Sequence, residues 1–132
     1  MGQQQLLLIV LGVIIVGIAI VVGINLFNAN AVSSNRDAVI SDLNNLGAMA
    51  NQFYMKPTSM GGGGGAYDVS KGATAAWSIP TTLLSTANGS YVATPGASSV
   101  SIVGTGTQSV GGSPVKATAT VTPTGTTVVV NN

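Results

Sequence analysis

The chain has 132 residues and a formal net charge of +1, with 45% hydrophobic and only 5% charged residues. It contains no His and no Cys, so the usual zinc, haem and thiolate sites lack ligands and a nucleophile–base triad lacks its base. The carboxylates are Asp37, Asp42 and Asp68, with two before a Gly-rich stretch and one after it, a poor arrangement for paired acid–base work. Arg36, Lys56, Lys71 and Lys116 are scattered and form no basic patch for nucleic acid. The composition therefore points away from an enzyme, a metal, a cofactor, nucleic acid or a small-molecule ligand, and toward a structural role.

The charges are unevenly placed: residues 1–35 have none. Leu6 to Ile24 is an unbroken apolar run of nineteen residues, fifteen of them Leu, Ile or Val. As an α-helix it is about 28 Å long, close to the roughly 30 Å of a bilayer core. Insertion of its aliphatic residues contributes on the order of −5 to −9 kcal/mol. Eleven of the fifteen are β-branched and favour strand in water, but a lone segment in lipid satisfies its backbone only as a helix. A cleavable secretory signal fits poorly. Met1-Gly2-Gln3-Gln4-Gln5 has no basic residue, and the apolar core exceeds the usual 7–15 residues. An ordinary anchor normally has flanking Lys or Arg and interfacial Trp or Tyr, and here only Phe27 lies near.

From Asn28 to Tyr54 the apolar residues recur at helical spacing: Val32, Val39, Ile40, Leu43, Leu46, Ala50, Phe53 and Tyr54. Ser33, Ser34, Asn35, Asp37, Ser41, Asp42, Asn44, Asn45 and Asn51 fall on the opposite, wet face. This pattern predicts an amphipathic helix continuous with the apolar run. Pro57 stops it, and Gly61 to Gly65 read as a flexible hinge. The expected organisation is a long helix over 1–56 (6–27 apolar all round, 28–56 amphipathic), a Gly-rich linker over 57–66 and a β-rich domain over 67–132.

The C-terminal part is rich in Thr, Ser, Gly and Val. Trp77 to Leu84 reads as a short helix, capped by Ser78 and with Pro80 in its first turn. Asn88-Gly89 marks a turn, Ser90 to Thr94 a strand, Thr94-Pro95-Gly96 a turn and Ser98 to Val103 the next strand. Val115, Ala117, Ala119 and Val121 alternate with Lys116, Thr118, Thr120 and Thr122, a half-buried strand. Thr122-Pro123-Thr124-Gly125 turns into a last strand, Thr126 to Val130. The expected fold class is α+β: a long helix with an antiparallel meander of about four strands. A core this small needs help, so the sheet is expected to pack on Val39, Leu43, Leu46, Ala50 and Phe53. The uncharged last strand asks for a covered or subunit-paired edge. Asn88-Gly89-Ser90 forms a sequon, with Asn88 a possible glycosylation point.

The run from Gln3 to Ala19, followed by the amphipathic stretch to Tyr54, resembles the type IV pilin superfamily, over about residues 1–56. The resemblance implies a helix that holds each subunit in the inner membrane and moves into a filament core on assembly, with a β-rich outer domain. It implies a helical homopolymer as partner, together with a prepilin peptidase and the pilus assembly machinery. The implied location is a membrane-embedded precursor and then an extracellular filament. Leu6, Leu8, Leu11, Gly12, Ile15, Gly17, Ile18, Val22 and Gly23 are the expected packing residues of the core, with the glycines allowing close backbone approach. Two departures stand out. Only Met1-Gly2 is available as a leader, without a basic residue. The family's fifth-position glutamate, which docks a neighbour's terminal amine, is Gln5 counted from Met1 or Leu7 counted from Gln3. Gln5 accepts a hydrogen bond from an ammonium but brings no charge. The alternative expectation is a membrane-tethered minor pilin, pseudopilin or binding module that makes no long filament alone.

Overall fold

The computed structural model describes residues 2–131; Met1, and with it the first residue of the possible leader, lies outside them. One uninterrupted helix, α1 (Gly2–Met55), spans 54 residues, about 80 Å at 1.5 Å per residue. Five strands follow as an antiparallel meander: β1 (Ser85–Thr86), β2 (Gly89–Pro95), β3 (Val100–Val110), β4 (Ser113–Thr122) and β5 (Gly125–Val130). They lie in the order β1-β2-β3-β4-β5. The chain is thus α+β, with one long apolar N-terminal helix and one antiparallel sheet.

The sheet lays one face across the second half of α1. Odd-numbered residues of β4 (Val115, Ala117, Ala119, Val121) and even-numbered residues of β3 (Val100, Ile102) point inward and are fully buried. Val100, Ile102, Ala117, Ala119 and Val121 close on Val39, Leu43, Leu46 and Ala50 of α1, with Tyr67, Trp77, Ile79 and Tyr91 completing the cluster. Aliphatics of two periods, 3.6 along the helix and 2 along the strands, therefore share one core. Gly47 lets the helix approach β5, because a side chain there would press into Thr126.

The Gly-rich stretch does not hang as an open hinge. An α-helix leaves its last carbonyls without partners, and Pro57 cannot continue the ladder. The glycines turn back and supply the donors. Gly63 N–H donates to Phe53 O at 2.8 Å, Gly65 to Tyr54 O at 2.9 Å and Gly64 to Lys56 O at 2.9 Å, while Gly62 bonds Pro57 O at 3.0 Å. Gly62 and Gly63 are buried, and a Cβ on either would overlap the carbonyl oxygen of Lys56 or Ala66. The segment is a cap built on close backbone approach, which only glycine permits. Gly63→Ala is therefore expected to destabilise the sheet domain by about 1–3 kcal/mol through overpacking. Gly12→Ala, with open space around it, should leave domain melting unchanged. Thermal melts of the detergent-solubilised chain, followed by Trp77 emission, check both.

Four further expectations are corrected. The meander has five strands, because two-residue β1 is too short to leave a pattern. β3 continues to Val110, past the expected end at Val103, with a register irregularity between Thr105 and Ser109. Trp77 to Leu84 forms no α-helix: only Thr81–Leu83 makes a single 3-10 turn after Pro80, and Ser78 caps nothing there. The turn after β2 is closed later than expected, with Gly96 N–H donating to Ser99 O at 2.8 Å.

Candidate functional site

The surface that dominates the molecule is the first half of α1. Leu6, Leu8, Leu11, Ile15, Ile18 and Val22 are each at least half exposed, and Phe27 reaches 77%. Gln5 is exposed. A Cβ placed on Gly12, Gly17 or Gly23 would meet nothing within 4 Å. The helix is long and apolar enough to cross a membrane, and its most apolar window has no part buried within the chain. Val39, Leu43, Leu46 and Ala50, by contrast, lie under the sheet, and Phe53 is half-buried at the margin. The β3–β4 hairpin tip reaches toward the apolar half, so that Ser109, Val110 and Gly111 border an open cleft with Asn28, Ala29, Val32, Ser33 and Arg36.

Polar side chains fix how the domain sits on the helix. Asn35 Nδ2 donates to Asn88 O at 2.8 Å, and Asn35 Oδ1 accepts from Gln108 N–H at 3.2 Å. Two turns on, Asp42 Oδ2 accepts from the Tyr91 hydroxyl and from Asn88 Nδ2 at 3.1 Å, with Thr86 Oγ1 3.5 Å away. Asn51 Oδ1 accepts from the Tyr67 hydroxyl at 2.6 Å, and the Tyr67 ring lies 5.0 Å from that of Tyr54. Asn35, Asp42 and Asn51 belong, on the sequence reading, to the wet face. They instead flank the buried stripe, where Asn35 and Asp42 hold the sheet and Asn51 holds the segment around Tyr67. Asn35 and Asp42, seven residues apart, share one flank of a 3.6-residue helix, and that spacing is the signal from which the pair is readable. The Asn88 amide nitrogen, the atom a sugar would join, is bonded to Asp42 and half-buried.

Burial, first, and then the carboxylate of Asp42 push the Tyr91 phenol up from its ordinary value of 10.0. Burial and the nearby Tyr54 raise Tyr67 as well. A phenol whose folded pKa exceeds its unfolded one contributes stability that is intact below about pH 10 and lost as pH climbs above it. The sheet domain should therefore lose stability above about pH 10, and Tyr91→Phe should flatten that loss. At neutral pH the same substitution removes a donor from Asp42 and should cost about 1–3 kcal/mol. Urea melts at neutral and alkaline pH measure both effects.

No protein-family model matches the chain, and neither a curated protein nor a solved structure does.

Proposed function

We propose that this chain is a non-catalytic structural subunit of an extracellular filament of the type IV pilus kind. The apolar half of α1 rests in a membrane before assembly and bundles with its copies at the filament axis afterwards. The sheet domain forms the outer wall. A prepilin peptidase and an assembly machinery are the partners this reading requires.

One observation carries the proposal: the run Leu6–Ile24 is exposed while the domain beyond it has a buried core within a single chain. Removing a fully exposed aliphatic side chain from water is worth about 1.5–3 kcal/mol, so its fifteen Leu, Ile and Val, each 50–70% exposed, carry on the order of 10–30 kcal/mol of unrealised burial. That matches or exceeds the roughly 5–15 kcal/mol by which a domain is folded. The rod therefore demands an apolar surround, which lipid and copies of itself both supply. Exchange between the two changes little per helix, leaving packing and the outer domains to decide assembly. Shearing cells that express the chain and imaging the supernatant tests this. Long uniform fibres containing the chain support it; recovery in membranes alone assigns it instead to a tethered subunit. Mass spectrometry of the fibre protein's N-terminus reads out processing and methylation.

A further inference from the structure

We propose that the sheet itself polymerises: β5 of one copy docks as an added strand on the outer edge of β2 in the next, joining the outer domains into a continuous wall. This rests on the filament reading and names the contact between domains that it leaves open.

The two edges fit each other. Asn131 N–H donates to Lys116 O at 2.8 Å, so strand alternation turns the N–H and C=O groups of Thr126, Val128 and Val130 away from β4. On the far edge, Tyr91 N–H donates to Leu84 O at 2.9 Å, which by the same alternation turns the backbone of Ala93 and the carbonyl of Pro95 outward. β1 covers only Gly89 and Ser90, and among the described residues no strand pairs with β2 above Tyr91 on that side. A groove bordered by Trp77, Ile79, Leu84, Val92 and Ala93 runs there instead. An unpaired edge beside an apolar groove is the geometry that accepts an extra strand. Neither edge is protected by charge, and β5 has no Pro and no bulge to deter pairing. The single Pro of the β2 edge, Pro95, lacks its N–H on the outward side, so a docked strand forgoes one ladder hydrogen bond at that end.

Direction and register agree as well. In the antiparallel meander β2 and β5 run opposite ways. Copies standing with their helices parallel therefore bring β5 against β2 in antiparallel fashion. Val92, Val103, Thr118 and Val129 form one cross-strand row. Its two ends, Val92 and Val129, are 65% and 59% exposed. With neighbours at the same level, Val129 meets Val92, Val128 and Ala93 exchange both hydrogen bonds, and Thr126 donates to the Pro95 carbonyl. Leu84 already holds the outward side of Tyr91, so the pairing ends at Val92, and Val130 and Asn131 turn away from the docked edge.

The area identifies the occupant. The free stretch of β2, Val92 to Pro95, makes an edge roughly 13 Å long, which buries on the order of 300–400 Å², short of the roughly 1,200 Å² that a specific interface needs alone. A free peptide would not stay. A second copy does, because bundled rods hold its edge at high effective concentration.

The test is a cysteine pair in the full-length chain, which has no cysteine of its own. V92C/V129C fibres, once oxidised, should give a ladder of covalent dimers, trimers and longer species on denaturing gels. V92C and V129C alone should stay monomeric, because like edges do not meet in a polar fibre. Mixed fibres of the two single variants should yield dimers only. Fibres of the double variant that remain monomeric after oxidation overturn the strand docking and leave the filament reading standing. Absence of fibres from the unaltered chain overturns the filament reading, and this contact with it.

Discussion

Ile15→Asp should remove the chain from sheared fibres. Ile15 lies in the middle of the apolar run and is 59% exposed in the single chain, so its surroundings are whatever the rod is placed in. An Asp at the centre of a membrane helix costs about 2.5–3.5 kcal/mol on the insertion scale, where Ile contributes about −0.3 to −0.6. The difference, about 3–4 kcal/mol, is a factor of several hundred against any apolar surround. Lys116→Asp, at an exposed position on β4, makes a charge change twice as large on the solvent face of the sheet and should leave fibre yield near normal. Quantifying the chain in the sheared and membrane fractions decides it. Unaltered fibre recovery for Ile15→Asp would mean that the rod stands in a wet environment.

Leu43→Ala should have the largest effect on the outer domain. Leu43 is fully buried where α1 crosses the sheet. Truncating a buried Leu costs about 2–5 kcal/mol, part for lost transfer and part for the cavity. For a domain of this size each kcal/mol is worth about 4–8 °C in Tm, so the midpoint should fall by roughly 8–40 °C. Trp77 lies in the same cluster and is the only Trp, which makes its emission a direct report. Phe53→Ala, at the half-buried margin, should cost less. A shift of under about 4 °C for Leu43→Ala would show that the sheet holds together without the helix.

How far the fold is legible in the sequence depends on the range of the forces involved. The apolar run, the helix stop at Pro57 and the alternation from Val115 to Thr122 each follow a short-range period, and each is visible in a window of a dozen residues. The lower half of β3 is not, because Gly104-Thr105-Gly106-Thr107 looks like a loop. The glycines there answer a distant need: a Cβ on Gly104 would crowd the Tyr91 ring and Val39, and one on Gly106 would overlap Asn35. The Gly61–Gly65 stretch misleads in the same way. Its composition suggests slack, whereas its N–H groups finish the helix. Asp42 reads as a solvated charge until β2 brings Tyr91 to it. Contacts across some fifty residues of chain or more decide the β3 glycines and Asp42, of which the Asn35–Asp42 spacing is the one local trace, and the Gly61–Gly65 cap is decided by backbone bonds about ten residues back.

The clasps at Asn35 and Asp42, together with the seating of Gly47 against Thr126, leave the domain a single azimuth on its shaft. Because α1 is uninterrupted, that setting propagates to the other end. From Val39, at the centre of the seat, back to Gly12 is about seven and a half turns at 3.6 residues each, and to Gly23 nearly four and a half. Both glycines therefore face away from the sheet. In a polymer whose sheets look outward, the bare backbones at these two levels look inward, where neighbouring shafts come closest. The compass bearing of each rod is thus set by hydrogen bonds far above it.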